Sequence, residues 1–157
     1  MGGEDIMKVK VFLSYSHEDE KMKEQLDKHL IMLKRNEKID SWNDRCLIAG
    51  QKLEKNTLGQ LESSDVIVLL VSTDFLASNY CYEKEMKIAL EKNEKGEAIV
   101  IPVILRTCDW LNSPLKDLLA VPKDGKPINK WEDKDEAYYN VKQNIEKAID
   151  NYFLKQK

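Results

Sequence analysis

Two carboxylates that could do chemistry, Glu83 and Glu85, lie two residues apart on one predicted helical segment. At about 100° per residue, the apolar residues Tyr82, Met86 and Leu90 lie on one side of such a helix. Glu85 falls within this apolar arc, whereas Glu83 turns toward the charged face. A carboxylate among apolar neighbours is costly unless it has a partner or a chemical role. The pattern alone leaves two interpretations of Glu85 open: a functional carboxylate, or one that pairs with a nearby lysine.

Polar residues also follow each of the apolar stretches that predict strands. These polar groups are residues 14–16, 42–45, 72–74 and 106–109. In an open parallel sheet, ligands bind beyond the carboxyl ends of the strands, at the point where the strand order reverses. We therefore expect functional residues to come from these groups and from the first turns of the helices that follow them.

Continuous apolar runs predict the strands that must position these groups. The runs cover Val9–Ser14, 65–72 and 98–105, and a weaker candidate covers 39–42. Because they do not alternate between apolar and polar residues, both faces of the sheet must be covered, which is typical of parallel sheets. We expect Val9–Ser14 and 65–72 to be adjacent in the centre of the sheet.

Helical patterns alternate with these runs. Apolar residues recur at helical spacing from Met22 to Leu33 and again from Ala137 to Tyr152. Strands that alternate with helices favour right-handed crossovers and an open α/β sheet with helices on both faces. Segment 106–131 contains three prolines, so we expect it to be mostly loop, with a short edge strand at 118–121. The sequence thus predicts a five-stranded parallel sheet.

Motifs of other α/β proteins are missing. Dehydrogenase-type dinucleotide folds require Gly-x-Gly-x-x-Gly after the first strand, and this stretch contains no glycine. A phosphate-binding loop with Lys-Ser or Lys-Thr is also missing. A phosphoacceptor receiver domain would need acidic residues at the end of the first strand and an aspartate at the end of the third, where this chain has serines. These three functional classes are excluded.

Composition restricts the compartment and the partners. The chain has one domain's length, 157 residues, and a net charge of −3, so it has no basic field to attract nucleic acid. No apolar run approaches the ~20 residues of a membrane span, and the N-terminus lacks the regions of a signal peptide. Three widely spaced cysteines favour a reducing compartment, and with two histidines they form no known zinc-ligand spacing. We expect a cytoplasmic protein with no metal, no membrane contact and no nucleic acid partner.

Four motifs, in order along the chain, match one known family. They begin with Val-Phe-Leu-Ser-Tyr-Ser at 11–16 and Trp-Asn-Asp-Arg-Cys-Leu-Ile-Ala-Gly at 42–50, where Ala49 stands in place of a proline that is usual in bacterial relatives. Residues 72–86 follow, and then 101–106 with 109–110 and 122–127. Together they resemble the TIR (Toll/interleukin-1 receptor) domain family, and the last group is similar to its bacterial branch in particular. The resemblance extends from residue 8 to about residue 153.

The resemblance implies a flavodoxin-like α/β fold with strand order 2-1-3-4-5, in one domain over residues 8–155 after a tail of residues 1–7. Some family members are NAD glycohydrolases that release nicotinamide and ADP-ribose or a cyclised form, whereas others are adaptors that only assemble with other TIR domains. Bacterial members are commonly enzymes that serve in antiphage defence, and most require clustering. We therefore expect an NAD glycohydrolase that has NAD as its substrate and no cofactor. We also expect self-association and a sensor domain or sensor protein beyond this chain, which either stands alone or is a piece of a larger protein.

The resemblance assigns the family's catalytic glutamate to Glu85, because a glutamate directly before an aliphatic residue stands at that place in the motif. Loss of nicotinamide from a ribosyl carbon passes through an oxocarbenium-like state, as in glycoside hydrolysis. A fixed carboxylate stabilises that positive charge. Nicotinamide leaves from a ring that is already cationic, so no strong general acid is required.

Residues near the same edge are candidates for binding the substrate. Tyr80 and Trp42 offer aromatic surfaces that would stack on adenine or nicotinamide, although a tryptophan at a strand end more often fills the core. Ser14 and Tyr15 are expected to open toward the cleft.

The loop 43–50 carries two further expectations. Asp44 and Arg45 suit contacts with the substrate or its phosphates, and they equally suit an ion pair within the loop. Leu47 and Ile48 are apolar residues in an otherwise polar stretch, and exposed apolar loop residues often mark interaction sites. We expect weak self-association through this loop, while packing of the two side chains onto the domain is the alternative.

Overall fold

A four-stranded parallel sheet forms the centre of the computed structural model, which describes residues 8–43 and 53–155. Its strands are β1 (Val9–Ser14), β2 (Ile39–Asn43), β3 (Val66–Val71) and β4 (Ile99–Ile104), in the order β2-β1-β3-β4. All six residues of β3 are buried, as expected for a central strand with both faces covered. The parallel sheet and the central pairing of β1 with β3 are confirmed.

Helices connect these strands and cover both faces of the sheet. The α-helices are α1 (Glu20–His29), α2 (Ile31–Arg35), α3 (Leu53–Glu62), α4 (Thr73–Ala77), α5 (Lys87–Glu94) and α6 (Lys134–Lys155), and a π-helix spans Asn79–Met86 between α4 and α5. Short 3₁₀ turns occupy His17–Asp19, Trp110–Asn112, Pro114–Asp117, Lys123–Gly125 and Ile128–Lys130. No helix within residues 8–43 and 53–155 combines the length and the apolar character that a membrane crossing needs.

The core consists of two apolar layers, one on each face of the sheet. On one face, Val11 and Leu13 of β1 belong to a buried cluster with residues of α1 and α6. On the other face, Phe12 belongs to a cluster with residues of α3, α4, the π-helix and α5. Successive side chains of a strand point to opposite faces, so β1 contributes alternately to both layers. This alternation decides where the side chains that follow Leu13 are placed.

The predicted fifth strand at 118–121 is reduced to a single bridge. Val121 pairs in parallel with Val103 of β4; its amide donates to the Pro102 carbonyl at 2.9 Å, and its carbonyl accepts from the Ile104 amide at 2.8 Å. Pro122 has no N–H to extend the ladder, and a 3₁₀ turn begins directly after it. The position beyond β4 is therefore the predicted one, but among the described residues only four strands form.

Candidate active site

Glu85 lies on a π-helix that is anchored by serine caps. The hydroxyl of Ser72 accepts from the Phe75 amide at 3.1 Å at the start of α4, and the hydroxyl of Ser78 accepts from the Cys81 amide at 3.1 Å at the start of the π-helix. Helices of this wider type are rare, and they occur frequently at functional sites. Glu85 is 1 % exposed, so its carboxylate lies inside the protein.

The carboxylate of Glu85 is bound by the last residue of β1. The hydroxyl of Ser14 donates to Oε1 of Glu85 at 2.5 Å, and both side chains are buried. This length is typical of a hydroxyl that donates to a carboxylate. Ser14 follows Phe12 by two residues and therefore points to the same face of the sheet. The contact places Glu85 at the carboxyl edge of the sheet, beside the boundary between β1 and β3.

The two glutamates of the helical segment have opposite environments. Glu83 is exposed and Glu85 is buried, as the angular pattern predicts. The prediction used the spacing of an α-helix, whereas the segment is a π-helix. The outcome is the same because Cys81, Glu85 and Met86 still turn toward the core.

An ionic cluster lies at the same edge of the sheet, and sequence reasoning did not predict its contacts. Asp19, in the turn after β1, accepts hydrogen bonds from the Ser72 hydroxyl and from Arg106 Nε at 3.1 Å and Nη2 at 2.8 Å. Arg106 Nη2 also donates to Asp74 Oδ2 at 2.6 Å. The hydrogen bonds that Arg106 donates, to Asp74 above all and also to Asp19, raise the pKa of the guanidinium above its ordinary value. Each of these residues lies at the end of a predicted strand or after it, and this position is the signal in the sequence that points to them. No local pattern shows that they meet.

Tyr15 does not open toward the cleft, so that expectation is wrong. Its side chain is 2 % exposed and packs in the cluster with Leu26 and Leu30, and the ammonium of Lys23 lies 5.5 Å from its ring centroid. The physical reason is the alternation along β1, which directs Tyr15 to the face opposite Ser14. Ser14 is 1 % exposed and no more open than Tyr15, so the same expectation is wrong for Ser14, although its hydroxyl contacts Glu85.

The other predicted substrate-binding residues are placed only in part. Tyr80 is half-buried in the first turn of the π-helix, with Lys84 Nζ 6.0 Å from its ring centroid. Trp42 lies in β2, in register with Phe12, and its side chain is outside what the structure describes. Asp44 and Arg45 lie outside the described residues, as does the rest of the loop up to residue 50. Their roles stay predictions.

Neither described cysteine has the environment of a nucleophile. Cys81 is buried at 4 % exposure, and burial raises the pKa of the Cys108 thiol above its ordinary value. A thiol with a raised pKa is protonated at neutral pH and is a poor nucleophile. Within residues 8–43 and 53–155, no three histidine, cysteine, aspartate or glutamate side chains cluster so that they could hold a metal ion.

A groove of about 510 Å³ lies away from Glu85, between residues 119–124 and α6. Its walls are mostly polar or charged side chains, among them Lys123, Asn140 and Glu146. It lies beyond β4 and against α6, whereas Ser14 and Glu85 lie beside β1 on the opposite face. The candidate site therefore rests on the contacts of Glu85 and not on this groove.

Comparison with known proteins identifies the family. A profile described as TIR domain matches residues 11–141. The uncharacterized protein y4lF of Sinorhizobium fredii (strain NBRC 101917 / NGR234) is 50 % identical over 138 residues, which are 88 % of this chain and 43 % of that protein. The chain thus spans less than half the length of this bacterial relative.

Two solved structures share the fold. The TIR domain of the Toll-related receptor TRR-2 from Hydra magnipapillata superposes with a TM-score of 0.64 at 22 % identity, covering 88 % of this chain and 96 % of that one. The TIR domains of the activated Roq1 resistosome, which directly recognizes the pathogen effector XopQ, give a TM-score of 0.51 at 29 % identity, covering 61 % of this chain and 57 % of that one. At this level of identity the receptor domain shows the fold alone.

Proposed function

Since the chain belongs to the TIR domain family, we propose that it is an NAD glycohydrolase with Glu85 as its catalytic residue. The substrate is NAD, and the products are nicotinamide and either ADP-ribose or a cyclic ADP-ribose isomer. The observation that carries this proposal is the buried carboxylate of Glu85, held by Ser14 at the carboxyl edge of the sheet. A buried carboxylate at the edge where such sheets bind ligands is a candidate for a chemical role.

The chemistry follows from the bond that breaks. The C–N bond between the ribose and the nicotinamide ring cleaves, and its electron pair leaves with nicotinamide, which becomes neutral. The ribosyl carbon becomes an oxocarbenium-like cation, and the negative carboxylate of Glu85 stabilises it. Attack by water forms ADP-ribose and releases a proton, whereas attack by a nitrogen or oxygen within the same molecule forms a cyclic isomer.

Self-assembly is the second part of the proposal. The Roq1 structure contains TIR domains within an activated resistosome, which supports the idea that this chain also acts in a cluster. The matched relative is more than twice as long as the aligned region, which supports a sensor or a further domain as the partner that brings copies together. We place this activity in the cytoplasm of a bacterium, in antiphage defence.

Incubation of the protein with NAD tests the proposal directly. We expect release of nicotinamide, detected by chromatography, at a rate per molecule that rises with protein concentration or with forced clustering on a multivalent scaffold. On the scaffold, assembly no longer depends on the bulk protein concentration, because linked copies meet at a high effective concentration. If clustered protein releases no nicotinamide but binds other copies of itself, the chain is a non-catalytic adaptor, and Glu85 is then a structural carboxylate.

A further inference from the structure

Two chain segments at the carboxyl edge of the sheet are joined to each other at both of their ends. One segment runs from Ser14 to Asp19, and the other from Ser72 to Glu85. The Ser14–Glu85 hydrogen bond joins one pair of ends, and the Ser72–Asp19 hydrogen bond joins the other pair. All four residues are at most 2 % exposed. The two segments are thus linked by a side-chain hydrogen bond at each pair of ends.

Both carboxylate oxygens of Asp19 accept hydrogen bonds. Oδ2 accepts from the Ser72 hydroxyl, and Oδ1 accepts two hydrogen bonds from the guanidinium of Arg106. A buried carboxylate is tolerated only when it is paired and hydrogen-bonded, and Arg106 meets this requirement. The charge of Asp19 is therefore compensated while it fixes the orientation of the Ser72 hydroxyl.

Ser72 transmits this constraint to the π-helix. The same hydroxyl that donates to Asp19 accepts from the Phe75 amide and so caps α4. Helix α4 ends at Ala77, and Ser78, the next residue, caps the π-helix that carries Glu85. Only one residue separates the two helices, and they pack against each other. Asp19 is therefore connected to Glu85 through Ser72, α4 and the π-helix.

We propose that Asp19 is a positioning residue that holds α4 and the π-helix so that Glu85 stays in contact with Ser14. Its effect on turnover rests on the proposed cleavage of NAD, whereas its effect on the π-helix does not. In this role Asp19 touches no reacting atom and acts through Ser72. A misplacement of a catalytic group by about 1 Å costs about a hundredfold in rate. Loss of Asp19 is therefore expected to lower kcat while KM is retained.

The variant Asp19→Asn tests this role, because it keeps the side-chain volume and removes the charge. Arg106 is 35 % exposed and remains paired with Asp74, so the variant is expected to fold. Loss of a charged hydrogen bond should increase amide hydrogen exchange in Asn79–Met86 at least about tenfold, with β4 unchanged. In the same variant, kcat for NAD should fall by a similar factor at unchanged KM. The milder Arg106→Lys, which keeps a positive charge beside Asp19, should give a smaller increase in the same segment.

Asp74→Asn is the matched control, because Asp74 binds the same guanidinium at 2.6 Å but is 43 % exposed. Loss of such a half-exposed pair should change exchange in Asn79–Met86 by less than about fivefold and lower kcat less than Asp19→Asn does. Equal effects of the two aspartate variants, or an increase spread evenly over β3, β4 and the π-helix, would show that Asp19 only stabilises the fold. If the wild-type protein does not cleave NAD, the proposed function fails, and the exchange data still decide whether Asp19 positions the π-helix.

Discussion

The charge of Glu85 is the residue property on which the proposed reaction depends. Glu85→Gln keeps the shape and retains an oxygen that accepts from the Ser14 hydroxyl, so the variant should fold with an unchanged circular dichroism spectrum. It loses the negative charge opposite the oxocarbenium-like state, and we expect kcat to fall by about 10²–10³-fold. The measurement is nicotinamide release at equal clustering. Glu83→Gln is the control: it lies two residues away and is exposed, so its rate should be that of the wild type. An inactive Glu83→Gln beside an active Glu85→Gln would mean that the catalytic residue was assigned wrongly.

Local periodicity predicts the environment of a side chain but not its distant partner. The burial of Glu85 could be predicted because its apolar neighbours lie within a few residues along the helix. Tyr15 was predicted wrongly, since strand alternation continues past Ser14 and takes its ring into the core. The contacts of Asp19 with Ser72 and Arg106 join residues 53 and 87 positions apart. No local pattern contains such a contact, and only the strand order brings these groups together.

At the scale of elements, the continuous apolar runs were sufficient to predict the four strands of the sheet. They were not sufficient to predict how much of a fifth strand forms at its edge. Both faces of the central strands are buried, so these strands consist almost entirely of apolar residues and are easily recognised in the sequence. At the edge, Val121 has one partner strand only, and Pro122 ends the ladder after a single bridge. The π-helix was not predicted either, because the capped segment after α4 has the same apolar residues that an α-helix would place toward the core.

The turn after this bridge supplies a stability prediction for Gly125. Its φ is +69°, and a Cβ there would lie 3.0 Å from Cζ2 of Trp110. We expect Gly125→Ala to lower the free energy of unfolding by about 1–2 kcal/mol, because a left-handed conformation is unfavourable for residues with a Cβ. Urea denaturation measures this change. Gly59→Ala in α3 is the matched control: nothing lies within 4 Å of its Cβ, so it should raise stability by about 0.5–1 kcal/mol. A neutral Gly125→Ala would show that the turn adjusts to the side chain.

At the scale of the whole molecule, the parallel sheet links the loop 43–50 to the proposed active edge. Strands β1 and β2 are parallel and in register, so β2 ends at the same edge as Ser14. The loop thus begins beside the site, although its own residues from 44 onward lie outside the described part of the chain. Among the described residues, several large apolar side chains are exposed, and Leu119 is 89 % exposed. Single exposed apolar residues are ordinary, so exposure alone does not identify the contact between copies.

Substitution of both apolar loop residues tests where copies meet. The variant with Leu47→Asp and Ile48→Asp introduces two charges into a surface that we expect to be buried on self-association. It should reduce the oligomers detected by sedimentation at high concentration and leave the circular dichroism spectrum unchanged. Nicotinamide release at high concentration should fall in parallel, and forced clustering on a scaffold should restore it, because Glu85 and Ser14 are unchanged. Leu119→Asp is the control, since it adds a charge at an exposed leucine beyond β4. Oligomers that persist in the loop variant and dissociate in Leu119→Asp would place the contact at the β4 edge instead.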